Sequence, residues 1–197
     1  MCAGAAALPL LHLACSAEGA AQNGADAGDN GGWATGGTVS MTDKESYPEP
    51  FPGALASCVL VASTTDGPCT TESDLDREDV SESWTGLPVR LALKVANDAC
   101  EPIAGAVVKI WHTNIEGIYS GATPSAALCS GNNQDYIAAN FFRGVRTTGD
   151  DDVVFFDTCF PGWYGGRAIH IHFQVKNGDT SYRISQAEIR WFVRSRK

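Results

Sequence analysis

From Pro88 onward the apolar positions come in short runs, several of them alternating with polar ones. Val89 to Val95 (VRLALKV), Ala106 to Trp111 (AVVKIW), Val153 to Phe156 (VVFF) and Ala168 to Val175 (AIHIHFQV) are rich in β-branched and aromatic residues. Clusters of Gly, Pro, Asn and Asp separate them at short intervals, the punctuation of strands and turns. The pattern predicts an all-β fold, a β-sandwich of mostly antiparallel strands. No amphipathic stretch of helical length stands out, and only Asp74 to Glu82 and Asp135 to Phe142 leave room for a helical turn. There is no internal repeat, and the final segment, Ala187 to Lys197, reads as basic and strand-like.

The first 47 residues follow a different pattern. Ala3 to Ala14 (AGAAALPLLHLA) is small and apolar and ends at Cys15. As a helix it would span about 18 Å, too short for a bilayer core of about 30 Å, so it reads as the apolar region of an export signal. Leu11 to Cys15 (LHLAC) resembles a bacterial lipobox, which implies membrane attachment through a lipidated Cys15. It departs from that pattern at His12, where an aliphatic residue is usual, and in lacking basic residues ahead of the apolar run. Ser16 to Tyr47 is Gly, Ala, Asn, Asp, Ser and Thr with few large apolar side chains, a composition that cannot offset the entropy of ordering. The expected organisation is therefore a signal or lipobox segment over 1–15, a flexible tether over 16–47 and one folded domain over 48–197. A domain of about 150 residues buries roughly 68 to 70% of its unfolded surface, enough for a core.

A net charge of -9 argues against nucleic acid as a partner, because no basic stripe exists to neutralise phosphates. The acid clusters Asp74 to Asp79 and Asp150 to Asp152 lack the spacing of a calcium loop and read as solvated turns. Seven cysteines without a CxxC pair point to disulfides in an oxidising compartment rather than to zinc. Five of them fall in the folded domain, so one must stay free or pair elsewhere, and the connectivity is open.

Candidate chemistry sits in the last predicted strand. His170 and His172 are two apart, so their side chains share a face with their bases about 6.6 to 6.8 Å apart, close enough to converge on one ion. Alone, a His-X-His is a weak signal that structural histidines also produce. Just upstream, Pro161 to Arg167 (PGWYGGR) is a turn-rich loop that delivers Tyr164 and Arg167 to the same strand entrance. Imidazoles suit several transition metals, whereas phenolate oxygens favour hard, high-charge iron. A free tyrosine titrates near pH 10, yet a trivalent cation can hold it deprotonated at neutral pH.

Three blocks, Trp111 to Ser120 (WHTNIEGIYS), Phe142 to Thr148 (FRGVRTT) and Pro161 to Phe173 (PGWYGGRAIHIHF), resemble in order and spacing the intradiol ring-cleavage dioxygenases. The resemblance runs from about Pro88 to Val175 and more weakly from Cys58. It implies an enzyme holding iron(III) through Tyr119, Tyr164, His170 and His172, with Tyr164 the ligand released when substrate chelates the metal. It gives Arg167 the role of steadying negative charge on the bound diphenol. Gln186 takes the place of a glutamine near the oxygen-binding side. The implied reaction opens a catechol-type ring between its two hydroxyl-bearing carbons with O2, giving a muconate-type diacid. An exported member would meet polymer-derived or environmental diphenols more readily than intracellular catechols. Homodimerisation stays open.

Other residues have plainer expectations. His112 is read as a structural histidine bonded locally, Tyr136 and Tyr182 as core or rim, and Trp163 as either a pocket wall or a packing residue. The family's Glu-Gly-Pro-Tyr-Tyr stretch is replaced by Asp66-Gly67-Pro68-Cys69, which leaves Cys69 for a disulfide and bears on substrate choice. The hairpin before Val153 lacks the family's glycine after an aspartate, although Asp tolerates a left-handed backbone. The tail after Gln186 also departs from the family pattern, and an open sheet edge there would invite pairing with another chain. Two other classes stay in view: a non-catalytic exported β-sandwich module that binds aromatics or glycans, and a site for another metal such as zinc or copper.

Overall fold

Among the residues that the computed structural model describes, 35–53, 63–72, 75–178 and, as backbone, 180–188, six strands carry the fold. They are β1 (Pro88–Lys94), β2 (Val107–Trp111), β3 (Arg143–Thr147), β4 (Val153–Cys159), β5 (His170–Asn177) and β6 (Thr180–Glu188). β1 pairs with β4, and the other four form a second sheet in the order β3-β2-β5-β6, every pairing antiparallel. The predicted all-β sandwich is therefore present, and all four predicted strands lie within two residues of their expected starts.

Alternation builds the core between the sheets. Val154 and Phe156 of β4 meet Val108 and Ile110 of β2 and Ile171 of β5, with Leu91, Leu93, Phe173 and Val175 packed around them. Val108, Ile110 and Phe156 are wholly buried. Each such side chain contributes about 1.5 to 3 kcal/mol relative to exposure.

Two strands and one connection differ from expectation. β3 reads Arg-Gly-Val-Arg-Thr, too polar to announce itself, yet its Arg143 and Val145 are buried opposite Trp111 and Lys109 of β2, on the face away from the Val108 and Ile110 core. β6 holds the second sheet's far edge. Of the two candidate helical turns, Asp135 to Phe142 overlaps a short helix, Gln134–Ala138, capped by Asn133 Oδ1 accepting from the amides of Asp135 and Tyr136. Asp74 to Glu82 is the correction: residues 75–80 run extended between the sheets. They form bridges from Asp76 to Val145 and from Asp79 to Asp157, because main-chain partners on β3 and β4 outweigh local helical bonds.

The expected tether boundary also moves. Residues 35–47 lie against β1 and β4: Gly36 bridges Gly86, the Thr38 hydroxyl donates to Asp79 at 2.7 Å, and Lys44 Nζ reaches Asp157 at 2.5 Å. Small polar residues are held here by specific hydrogen bonds rather than by apolar burial, which composition does not reveal. Residues 1–34, with the lipobox-like segment, lie outside the described residues. At the hairpin before β4, Asp152 takes the left-handed backbone (φ 55°), and its buried carboxylate accepts from Lys94 at 2.6 Å. Within this acid cluster only Asp150 and Asp151 are solvated.

Candidate metal centre

Register places the central residues. Trp111 at the end of β2 lies opposite Arg143 on β3 and opposite His172 on β5, and His172 lies opposite Gln186 on β6. Directly opposed residues share a face, so this end of the sheet presents one transverse row. The Trp111 and His172 rings stack 4.8 Å apart and 5° from parallel, which fixes the imidazole plane. His170, two residues earlier, shares that face.

The tyrosines arrive on loops. After β2 the chain turns through Asn114, whose Oδ1 accepts from the amides of Glu116 and Ile118, and returns through Tyr119. The loop carrying Tyr164 lies directly on this turn, with the Gly162 amide donating to Asn114 O at 2.9 Å. Gly117 makes the approach feasible, since it has φ +80° and a Cβ there would stand 2.3 Å from the Trp163 carbonyl oxygen. Tyr119 is buried, its amide donating to Cys129 O at 2.8 Å, while Tyr164 is half-buried beside the exposed Arg167.

Four donor atoms converge. Tyr119 Oη lies 3.3 Å from Tyr164 Oη, Tyr164 Oη 3.3 Å from His170 Nε2, and His170 Nε2 3.1 Å from His172 Nε2. First-row ions hold N and O donors at about 2.0 to 2.2 Å, so neighbouring donors of one ion stand roughly 2.8 to 3.6 Å apart. The observed separations fall inside that range. His170 Nδ1 meets Ala168 O at 2.6 Å, which assigns the proton to Nδ1 and leaves the Nε2 lone pair directed at the cluster. Among the described residues no group of three or more His, Cys, Asp or Glu side chains could hold a metal, so the two phenols are indispensable to this donor set.

Burial sets the protonation states. It lowers the His172 pKa to about 3, with further lowering from His170 and Arg167, so the imidazole is neutral at pH 7 as a ligand must be. Burial raises the Tyr119 phenol well above its usual range, with Tyr164 adding to the rise and Arg143 and Arg167 opposing it. Its phenolate therefore requires a strongly charged cation at the cluster. Two phenolates and two neutral imidazoles suit iron(III) better than zinc or copper, which accept softer or uncharged donors.

Tyr119, Tyr164, His170 and His172 are thus brought together as the sequence suggested. Arg167 stands on the rim, near enough for its charge to act on Tyr119 and His172. Gln186 holds the register position beside His172, and its side chain, like that of Tyr182, lies outside the described residues. Trp163, expected to wall the pocket or pack, is 63% exposed. Tyr136 packs at the rim of an aromatic cluster with Trp84 and Phe141. Cys69 does form a disulfide, with Cys129, and the pair packs against Trp111, Tyr119 and Tyr164. Cys100 is disulfide-bonded as well, and buried Cys159 is the free thiol among the described residues. The part that sequence reasoning missed is Arg143, wholly buried behind Tyr119. Its signal was its place in the Phe142 to Thr148 block, to which the resemblance assigned no site role.

No family model matches the chain. Catechol 1,2-dioxygenase 1 from Acinetobacter lwoffii is 26% identical over 138 residues, 61% of this chain and 42% of that enzyme, so the chain spans less than half of this curated relative. An intradiol ring-cleavage dioxygenase from Tetranychus urticae has a similar structure, with a TM-score of 0.59, 31% identity and 66% of each chain covered. The dioxygenase domain of a dioxygenase carbohydrate-binding fusion from Streptomyces sp. SirexAA-E matches 64% of this chain and 73% of its own at a TM-score of 0.51. At 23% identity that likeness speaks to the fold alone.

Proposed function

The chain belongs to the intradiol ring-cleavage dioxygenase family, and from that membership we propose that it is a non-haem iron(III) dioxygenase acting on a catechol- or hydroxyquinol-like diphenol. The observation that carries this reading is the convergence of Tyr119 Oη, Tyr164 Oη, His170 Nε2 and His172 Nε2 at 3.1 to 3.3 Å steps. Those four residues would hold the iron. Iron(III) held there would supply Lewis acidity and make a diphenol ring reactive towards O2, for opening between its two hydroxyl-bearing carbons to a muconate-type diacid.

Unequal environments divide the residues by task. Tyr119, 3% exposed and tied to Cys129 by its amide, stays in place throughout. Tyr164 is half-buried on a glycine-flanked loop, so it is the phenol that can swing out and take up a substrate proton at Oη. Arg167, exposed on the rim, steadies negative charge on the diphenol oxygens. His170 and His172, neutral and held by Ala168 O and the Trp111 ring, keep the donor geometry fixed.

The disulfides support a place outside the reducing cytosol, in the cell envelope or beyond it. Anchoring through Cys15 belongs to the same proposal. The test is the visible spectrum of the iron-loaded chain before and after anaerobic addition of catechol. A broad tyrosinate-to-iron charge-transfer band that shifts with catechol is expected. A chain that stays colourless after iron loading would transfer the weight to a non-catalytic module that binds aromatics or glycans.

A further inference from the structure

We infer that Arg143 and the Cys69–Cys129 disulfide form one closed clamp around Tyr119, which makes Arg143 a positioning residue for that ligand. The inference rests on the metal-centre reading above and deepens it.

The clamp can be traced atom by atom. The Tyr119 amide donates to the Cys129 carbonyl at 2.8 Å. Cys129 is bonded through sulfur to Cys69. The Cys69 carbonyl accepts from Arg143 Nη2 at 2.7 Å. Arg143 Nε and Nη2 then reach the Ser120 carbonyl at 2.9 and 2.5 Å, which returns the path to the residue after Tyr119. The guanidinium carbon also stands 5.9 Å from the centre of the Tyr119 ring.

An arginine buried to 2% exposure with no carboxylate paired to it among the described residues is costly, and burial lowers its pKa to about 10. Its bonded donors go to two main-chain carbonyls and the Ser120 hydroxyl, an arrangement that stitches backbone rather than neutralising charge. The fork shape of the guanidinium is what lets one side chain span carbonyls on two separate segments, which an ammonium cannot reproduce. Space is tight as well. Gly121 has φ +87°, and a Cβ there would stand 2.6 Å from Thr71 Cγ2 and 3.1 Å from Arg143 Nε. Lys109, also buried, donates to Thr71 O at 2.6 Å and fixes the same 66–71 segment from the β2 side. Loss of either the disulfide or the guanidinium opens this ring and leaves that segment and the Tyr119 loop joined on one side only.

The test compares the full chain with Cys69→Ser/Cys129→Ser, with Arg143→Lys and with all three changes together. It reads amide hydrogen exchange in the metal-free proteins, then iron(III) affinity and the position of the visible band. Exchange at the Tyr119 amide should accelerate at least about tenfold more than that of the β2 amides of Val108 and Ile110, which report any global loss of stability. Iron(III) should bind about tenfold more weakly, as when a partner of a metal ligand is lost, with a displaced band. The combined variant should lose little beyond either part, because two halves of one device are not additive. Unchanged protection at Tyr119, equal loosening of the β2 amides, or losses that simply multiply would each overturn the clamp. Should the Arg143 variant fail to fold, mild reduction of the wild-type chain gives the same exchange comparison. A wild-type chain that shows no ferric-tyrosinate band would sink the iron reading, while the exchange data would still decide whether the clamp exists.

Discussion

Tyr119 and Tyr164 are chemically identical and placed unequally, one in the core and one at its margin. Tyr119→Phe should therefore weaken iron binding by more than about tenfold and diminish and displace the visible band, to which Tyr164 still contributes, and His172→Ala should weaken binding likewise, with far-UV circular dichroism unchanged in both. Tyr164→Phe should keep more of the metal and lose the catechol-induced shift, which anaerobic titration would show. His112 illustrates the other fate of a buried histidine. Nδ1–H donates to Thr113 O and Nε2 accepts from Thr158 Oγ1, and burial lowers its pKa from 6.5 to about 4. In the unfolded chain this ring takes up a proton below about 6.5, while the folded form does not until about 4. Stability should consequently fall as pH drops through that window, by about 2 kcal/mol between pH 7 and 5 from this group alone. Urea unfolding at both pH values checks it, since His112→Gln should remove that portion of the loss.

At the level of elements, β5 places both imidazoles by its period of two, and the 161–164 loop follows because a turn of glycines lets it lie on the 114–117 turn. The 35–47 arm is secured mainly through Asp157 of β4, whose buried carboxylate meets Lys44 and Arg90 while Glu78 shares both cations. Asp157→Ala would strand Arg90 and should cost about 3 kcal/mol, the lower figure for a broken buried pair because Glu78 stays beside it. A chain begun at Tyr47 should melt below one begun at Thr35, since it loses the Thr38 and Lys44 contacts; calorimetry on the two lengths decides. The apolar strands were legible from alternation alone. β3 was not, because its Arg143 is buried by bonds to carbonyls of other segments, which no local pattern encodes.

Across the whole molecule, the Cys69–Cys129 link closes a loop with a sequence separation of 60 and ties the segment ahead of β1 to the connection after β2. Loop-closure entropy assigns such a link about 4 kcal/mol, so Cys69→Ser/Cys129→Ser should lower the urea midpoint and steepen the transition, because the unfolded chain without the link is less compact. Residue types and spacing determined the strand-rich class and the shared face of His170 and His172, because a period of two is a local property, while Tyr119 entered only through the resemblance of whole blocks to a family. Tertiary structure alone decided which cysteine faces Cys69, that an arginine lies buried behind the first tyrosine, and that the arm before Tyr47 is docked. Each of these depends on backbone carbonyls and charges from segments far apart in the chain, whose meeting is fixed by packing and register.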